Sequence, residues 1–477
     1  KISFGISDRR KGKQMKNEKK KTGKALNPFI PLVLMVLACA IASYFVVPGA
    51  YDRETVNGVT RVMADSYHAV ERTPISFFNL FRSIPEGLTA TANMMFCVMI
   101  IGGIVEIYKR TDTVGAAINS VLRVSEKLSS QMIIAVVMIV FFIFGGILGW
   151  SEHIIPFVPI IISLAISLGY DSLVGMAISG FACLISFAVA PFNVYTVGIS
   201  HTIAELPMFS GWELRFAALG CVWALSLFWV MRYAKKVKAD PSKSLVKDVD
   251  TSSLRIPVDP SLKFDLPKKV SFVVLGVSIL FTIYGILKLS WSYTEMATTF
   301  MVGGVIVAII NRVKMEDAIN MILDGMRGAF VGALIIGVAR AVQWTMTNGG
   351  LIDPLVHGLS SLMGSASAYV STVGMFVVNF FINALIPSGS GQATAVMPIM
   401  VPLADMLNIT RQTAVLAFQF GDGISNTFWF TNGTLLIYLS LGKVPLKSWY
   451  KFILPLHGMF LVLQLVFLFI AVQTGYG

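Results

Sequence analysis

Charge is scarce in this chain. Asp, Glu, Lys and Arg make up 13% of its 477 residues, about half the share usual in soluble proteins. So little charge cannot cover the surface of a water-soluble fold this large, which excludes a soluble enzyme, a disordered chain and a secreted disulfide scaffold. Cysteine is scarce too. Cys39, Cys97, Cys183 and Cys221 each lie in an apolar stretch and none is spaced C-x-x-C, so they are expected as buried free thiols. The strings H-E-x-x-H, G-x-S-x-G and T-V-G-Y-G are absent. Sequence support is therefore missing for a zinc protease, a serine hydrolase or a potassium filter.

What is present is apolar. Hydrophobic residues make up 55% of the chain and mean hydropathy is +0.73. The net charge of +12 would suit nucleic acid, but its placement excludes that partner. Residues 1–24 carry +8, the stretch 232–269 carries +5, and the remainder sums to −1. Residues 1–28 read as a cytoplasmic basic tail, with Met15 an alternative start. No cleavage site follows, so the next apolar stretch is expected as a retained membrane helix.

Spans of about 20 apolar residues are expected at 29–48, 89–108, 213–233, 270–287, 296–311, 327–346 and 452–473. Within the outer loop 49–88, Pro74–Leu88 suits an interfacial helix. With the tail inside, 30 Lys/Arg fall on the cytoplasmic side and seven outside, namely Arg53, Arg61, Arg72, Arg82, Arg215, Lys288 and Arg411. Arg340 alone sits within a span. This bias follows the positive-inside rule only if 131–168 and 366–407 each enter and leave on one side. They are therefore expected as re-entrant hairpins. The first enters from the cytoplasm with its tip at Gly149–His153, and the second enters from outside with its tip at Pro387–Gln392.

Span, hairpin, interrupted span and final span recur in both halves, with the hairpins opening oppositely. That order is an inverted-topology repeat, as in secondary transporters. The expected fold is thus an all-α polytopic membrane protein with two re-entrant hairpins and two broken helices. Its first half is 29–234 with broken helix 172–200, followed by a cytoplasmic linker at 235–269. Its second half is 270–477 with broken helix 411–440, which leaves residue 477 outside. The breaks are expected at Ala190–Asn193 and Gly421–Thr427. Broken helices offer positive ends to carboxylates and carbonyl ends to cations.

Candidate substrate- or ion-binding residues follow. At the first tip they are Ser151, Glu152 and His153, and at the first break Asn193 and Thr196. At the second tip they are Ser388, Gly389, Ser390 and Gln392. At the second break they are Asp422, Ser425, Asn426, Thr427 and Thr431. Glu152, His153, Asp422 and Arg340 are ionisable groups at membrane depth, and such groups are functional candidates by default. Glu152 or Asp422 is suited to a coupling proton or a cationic part of the substrate, whereas Arg340 is open to pairing structurally with an acid. The bland reading of each Ser, Thr or Asn is a helix back-bond. A channel and an intramembrane hydrolase using Ser390 with His153 or His457 are the alternative functions.

Several motifs carry a resemblance: Pro387-Ser388-Gly389-Ser390-Gly391-Gln392-Ala393, then Met397 through Asp405, then Gln419 through Asn426. Leu168-Gly169-Tyr170-Asp171 and Tyr195-Thr196-Val197-Gly198-Ile199, followed by Ala204–Pro207, add to it. The chain resembles the C4-dicarboxylate anaerobic carriers, particularly their YfcC-like branch, within the ion transporter superfamily. The resemblance implies a bacterial inner-membrane homodimer with elevator-type alternating access and no enzymatic activity. It implies a small-molecule substrate, an amino acid or a C4-dicarboxylate, moved by ion coupling or exchange. It implies no cofactor beyond a coupling ion, Na+ or H+, with Na+ near Ser425, Asn426 and Thr427. The first half departs from the dicarboxylate relatives, which have Ser-Asn-Thr where this chain has Ser151-Glu152-His153. Its break reads Ala190-Pro191-Phe192-Asn193, where an Asn-Pro-Phe order is expected in this branch. The buried acid leans toward a substrate with an amino group.

Overall fold

The computed structural model describes residues 29–56, 59–63, 66–125, 128–256, 262–289, 291–361 and 367–477. The expected basic tail, Lys127 and linker residues 257–261 lie outside them. The described chain is helical apart from two short antiparallel ladders, and six of its helices are long and apolar enough to cross a membrane. It is an all-α polytopic membrane protein.

Helix α1 (Phe29–Phe45) leads into the loop expected outside. There β1 (Gly49–Ala50) pairs with β4 (His68–Ala69), and β2 (Arg53–Val56) with β3 (Val59–Val62). The expected interfacial helix is α2 (Phe77–Ala90), N-capped by Ser76, with Phe77, Phe78 and Phe81 exposed. After α3 (Ala92–Arg110), α4 (Thr113–Ser125) appears where no span was expected, because its polar face keeps hydropathy low.

The first helical hairpin comprises α5 (Ser130–Gly146) and α6 (Val158–Ser167), the latter preceded by a single 3-10 turn at Ile155–Phe157. The first interrupted helix comprises α7 (Ser172–Met176), a π-helical turn at Ala177–Phe181 and α8 (Ala182–Phe187). After the break come a second π-helical turn at Val194–Gly198 and α9 (Ile199–Ala204). Long α10 (Trp212–Ala239) closes this half.

The second half runs through α11 (Leu266–Leu289), α12 (Tyr293–Ile310), α13 (Met315–Asn348) and α14 (Ile352–Ser361). Helix α13 starts at Met315 rather than 327. Glu316 and Asp317 suit a helix N-terminus but depress the hydropathy that marked the span. The second hairpin is α15 (Ala368–Ile382) and α16 (Gly389–Met406). Here Gly389-Ser390-Gly391-Gln392 is the first turn of α16 rather than the turn between helices, because Ser388 caps it by accepting from Gly391 N. Then come α17 (Arg411–Ser425), α18 (Gly433–Leu441) and α19 (Leu446–Thr474).

The second break lies at Asn426–Asn432 and not at the glycines, which α17 runs through. Those glycines serve contact instead. A side chain at Gly421 would strike Phe376 O and Asn379, and one at Gly423 would strike Ala188 beside the first break. Removing Cβ lets helix backbones approach closely, a membrane packing device.

Packing divides the helices. Helix α13 lies on α1, α2 and α3, and α12 packs on α3 and α11. Gly325 of α13 meets Gly102 and Gly103 of α3 directly. The hairpins pack with the interrupted helices: α5 on α8, α6 on α7, and α16 on both α9 and α17. The linker is not a loose tether. Asp171 caps α7 through Val174 N and accepts from Tyr233 Oη at 2.7 Å and Ser244 Oγ at 2.6 Å. Further on, Ser163 Oγ accepts from Ile256 N.

Cys39, Cys97 and Cys183 are buried as expected, but Cys221 is exposed on the outward face of α10. Arg215, counted among the outer charges, is fully buried. It donates to Gln419 at 2.9 Å, Gln412 at 3.0 Å, Tyr476 Oη, and the carbonyls of Ser210 and Gly211.

Gly423→Ala is expected to lower the melting temperature of the detergent-solubilised protein, through about 1–3 kcal/mol of overpacking. Gly220→Ala adds a methyl that meets nothing within 4 Å and is expected to leave the melting temperature unchanged. Equal shifts in both variants would show that α17 does not crowd the first break.

Candidate functional site

The tip of the first hairpin and the start of α16 meet at a cavity of about 350 Å³, within the size range of small-molecule sites. Ser151 and Glu152 line it from the first hairpin, and Ser388, Gly389 and Ser390 from the second. Asn426 and Asn432 contribute from the second break, Gly433 and Thr434 from the start of α18, and Tyr195 from beyond the first break. Arg340 and Gln343 of α13 and Tyr293 of α12 complete its polar wall.

Local hydrogen bonds fix these groups. Glu152 accepts from Ser151 Oγ and from Thr434 Oγ1, the latter at 3.2 Å, so hairpin one is tied to α18. Tyr438 Oη donates to Ser151 O. Asn432 N-caps α18 through Leu435 N and donates to Asn426 Oδ1 at 2.7 Å. Asn383, just after α15, donates to the same oxygen at 2.9 Å, and to Asp422 at both its carbonyl and Oδ1. The N-termini of α16 and α18 therefore both face the cavity, where amide groups favour negative charge.

The other expected residues sit behind this wall. His153 is buried between the rings of Trp150 and Tyr293, with centroids at 5.3 and 5.2 Å. Asn193 caps the π-helical turn by accepting from Tyr195 N and Thr196 N. Gln392 donates to Asn379. Ser425 Oγ donates back to Asp422 O, and Thr427 Oγ1 to Ile424 O, which is the back-bonded arrangement. The carbonyls at the breaks also have protein donors, since Gln419 Nε2 reaches Ala190 O at 2.8 Å.

Several buried oxygens nevertheless have no hydrogen-bond partner: Thr196 Oγ1, Asn383 Oδ1, Gln392 Oε1, Asp422 Oδ2 and Thr431 Oγ1. Gly389 lies between two of these side chains. A Cβ placed there would sit 3.4 Å from Asp422 Oδ2 and against the Thr196 methyl. Unpaired buried acceptors are rare and costly. No hydrogen bond joins Ser390 to His153 or His457 among the described residues. Both ring nitrogens of His457 lack a partner.

The family profile of the C4-dicarboxylate anaerobic carriers matches residues 28–473. The chain belongs to the C4-dicarboxylate anaerobic carrier family. Membership makes this carrier a multi-pass membrane transport protein. It is similar to YfcC of Escherichia coli K12, a protein named as a candidate basic amino acid antiporter. Identity is 28% over 404 residues, covering 81% of this chain and 79% of that one. An uncharacterised Haemophilus influenzae protein is 27% identical over 419 residues, covering 86% and 81%. Two solved structures also show similarity. The YdaH transporter of Alcanivorax borkumensis has a TM-score of 0.44 at 13% identity, covering 94% of this chain and 99% of its own. MtrF of Neisseria gonorrhoeae, described within a class of antimetabolite efflux pumps, has a TM-score of 0.44 at 14% identity, covering 96% and 98%.

Sequence reasoning about this carrier missed Tyr195, Tyr293, Gln343, Asn432 and Thr434, and held Arg340 as an ionisable candidate without placing it among the binding residues. For Arg340 the signal existed: it is the one Lys or Arg lying more than two residues inside the ends of an expected span. No acid lies within ion-pair distance of it among the described residues, so the structural pairing left open for it is not formed.

If the cavity admits water, Ser390→Cys in a Cys221→Ala background is expected to react with a small hydrophilic thiol reagent. Thr431→Cys, at a fully buried position, is expected to react at least about tenfold more slowly, following accessibility. Equal labelling rates, read by mass spectrometry, would contradict the cavity.

Proposed function

We propose that this carrier is a secondary active transporter. It moves a small carboxylate-bearing metabolite, an amino acid or a C4-dicarboxylate, across the bacterial inner membrane by ion coupling or exchange. The observation that carries this reading is the convergence of one guanidinium and two helix N-termini on a cavity of metabolite size. Each of these features favours a carboxylate, and together they act in a setting of low dielectric. The family name and the name of the YfcC relative are in keeping with both substrate classes. Glu152, held by neutral hydroxyls on the opposite hairpin, supports a substrate that also carries an amino group.

The coupling cation belongs beside Asp422 in this reading. Its Oδ2, Thr196 Oγ1 and Asn383 Oδ1 are buried acceptors without donors, which suits a bound proton or Na+ more than an empty pocket. The hydroxyls of Ser425 and Thr427 hold the break together, and Asn426 faces the substrate. The hairpins and interrupted helices form the unit that moves, in elevator fashion, against α1–α3 and α11–α13. The division of packing supports that split, and family resemblance supports the homodimer. The bias of Lys and Arg supports placing the linker and α3–α4 junction inside and the 49–70 loop outside.

In proteoliposomes, the wild type is expected to exchange or accumulate labelled L-arginine, L-ornithine or succinate under a proton or sodium gradient. Asn426→Ala leaves two amides without their acceptor and is expected to cut flux about tenfold or more while the protein stays monodisperse. Asp422→Asn is expected to abolish dependence on the driving gradient. Glu152→Gln is expected to weaken amino acids relative to succinate. Absence of flux with any amino acid or dicarboxylate under both gradients would sink the reading.

A further inference from the structure

Arg340 is the cavity's one cation. It is half-buried in the last third of α13, and its single hydrogen bond runs along its own helix to Gln343 Oε1. No carboxylate lies within 4.0 Å of it among the described residues, although Glu152 lines the same cavity. Arg340 and Gln343 also line a second cavity of about 880 Å³ that opens toward the 49–70 loop. The other charges there, Arg53 and Asp353, neutralise each other at 2.6 Å, which leaves Arg340 as the unpaired cation lining both spaces. Gln343 in turn sits on the tip of the second hairpin, since a Cβ at Gly391 would lie 2.9 Å from Gln343 Nε2.

A guanidinium at membrane depth is costly without an anionic partner. Its planar fork fits a carboxylate through two parallel hydrogen bonds. We propose that Arg340 is the specificity residue that takes the substrate's carboxylate. It acts from α13, across the cavity from the hairpin tips, and meets that group as it passes from the larger cavity to the smaller. Gln343 holds the guanidinium against the α16 start, so the carboxylate is received between Arg340 and the Ser388–Ser390 turn. This assignment rests on the carrier reading above, and it adds that recognition is vested in one residue outside both hairpins.

Matched probes that differ only at the acid test it: L-arginine against agmatine, L-ornithine against putrescine, and succinate against succinamide. Purified full-length protein is titrated with each while its thermal midpoint is followed, since a ligand that binds the folded state raises it. The wild type is expected to bind the acid-bearing member of at least one pair and to discriminate against its twin. Arg340→Gln is expected to lose about 10- to 100-fold in affinity for that acid, with the ratio between twins collapsing toward one. Arg340→Lys keeps the charge without the fork, and is expected to fall between them. If Arg340→Gln does not fold, as judged by its ligand-free midpoint, Arg340→Lys decides. An unchanged twin ratio in whichever variant folds overturns the assignment, as does a wild type that binds both twins equally. A wild type that neither binds nor transports any of the probes overturns the carrier reading itself, a result visible before any variant is made.

Discussion

A helix interrupted inside a bilayer leaves amide donors and carbonyls without partners, and lipid offers none. Both breaks in this carrier meet that constraint with side-chain amides. In the first, Gln419 reaches from α17 to Ala190 O. Asn193 donates to Phe187 O, and its own oxygen accepts from the next turn. In the second, Asn383 closes the Asp422 carbonyl, Asn432 caps α18, and Asn426 accepts from both. An amide supplies a donor and an acceptor without a net charge, so it avoids the desolvation penalty of a buried ion. Because Gln419 comes from the second interrupted helix and closes the first, the two breaks are braced against each other. The cavity lies where that bracing leaves room.

The buried charges divide on the same ground. Arg215 is sealed: Nε, Nη1 and Nη2 all donate to neutral protein acceptors drawn from α17, the loop before α10 and Tyr476. It needs nothing from outside and ties the last helix, through Tyr476, to the second interrupted helix. Arg340 has one acceptor and open space. Asp422 has two bonds from Asn383, leaving Oδ2 bare. A group that the fold has not satisfied must be satisfied by something that comes and goes, or else it lowers stability for no return. On the carrier reading, completeness of hydrogen bonding, more than burial, separates the structural ion from those proposed to meet a ligand.

Much of this was legible in the sequence. Apolar length located the spans, and the placement of Lys and Arg required that 131–168 and 366–407 turn back. Two consecutive helices occupy each stretch. Each misreading has its own physical cause. Glycine was taken as a helix breaker at Gly421 and Gly423, but inside a membrane bundle it more often permits a close crossing. Hydropathy placed the start of α13 too late because a charged first turn protrudes beyond the apolar span. The polar stretch after α10 looked like a tether, yet Asp171 and Ser163 bind it to the first half. Tyr293, Asn432 and Thr434 could not be found from spacing, since they reach the cavity from helices whose neighbours only folding brings together.

The cavities are also placed unequally about the site. The space near the 49–70 loop shares Arg340 and Gln343 with the central cavity. A third space, of about 290 Å³, is lined by Glu106, Lys109, Asp324 and Lys443 and shares no lining residue with the central one. Ile155, Pro156 and Pro159 of the first hairpin lie along it, against α3 and α13. On the carrier reading, this conformation is connected toward the outer loop and closed by the first hairpin toward the cytoplasmic charges. In the elevator motion proposed above, opening the other side would need the hairpin and α18, joined by Glu152–Thr434 and Tyr438–Ser151, to slide as one along α13. Sliding would carry the tips past Arg340 while Arg340 stayed in place. On that proposal, a cation fixed on the stationary wall would hold a carboxylate in only one of the two positions, so the residue that admits the substrate would have to let go of it before release.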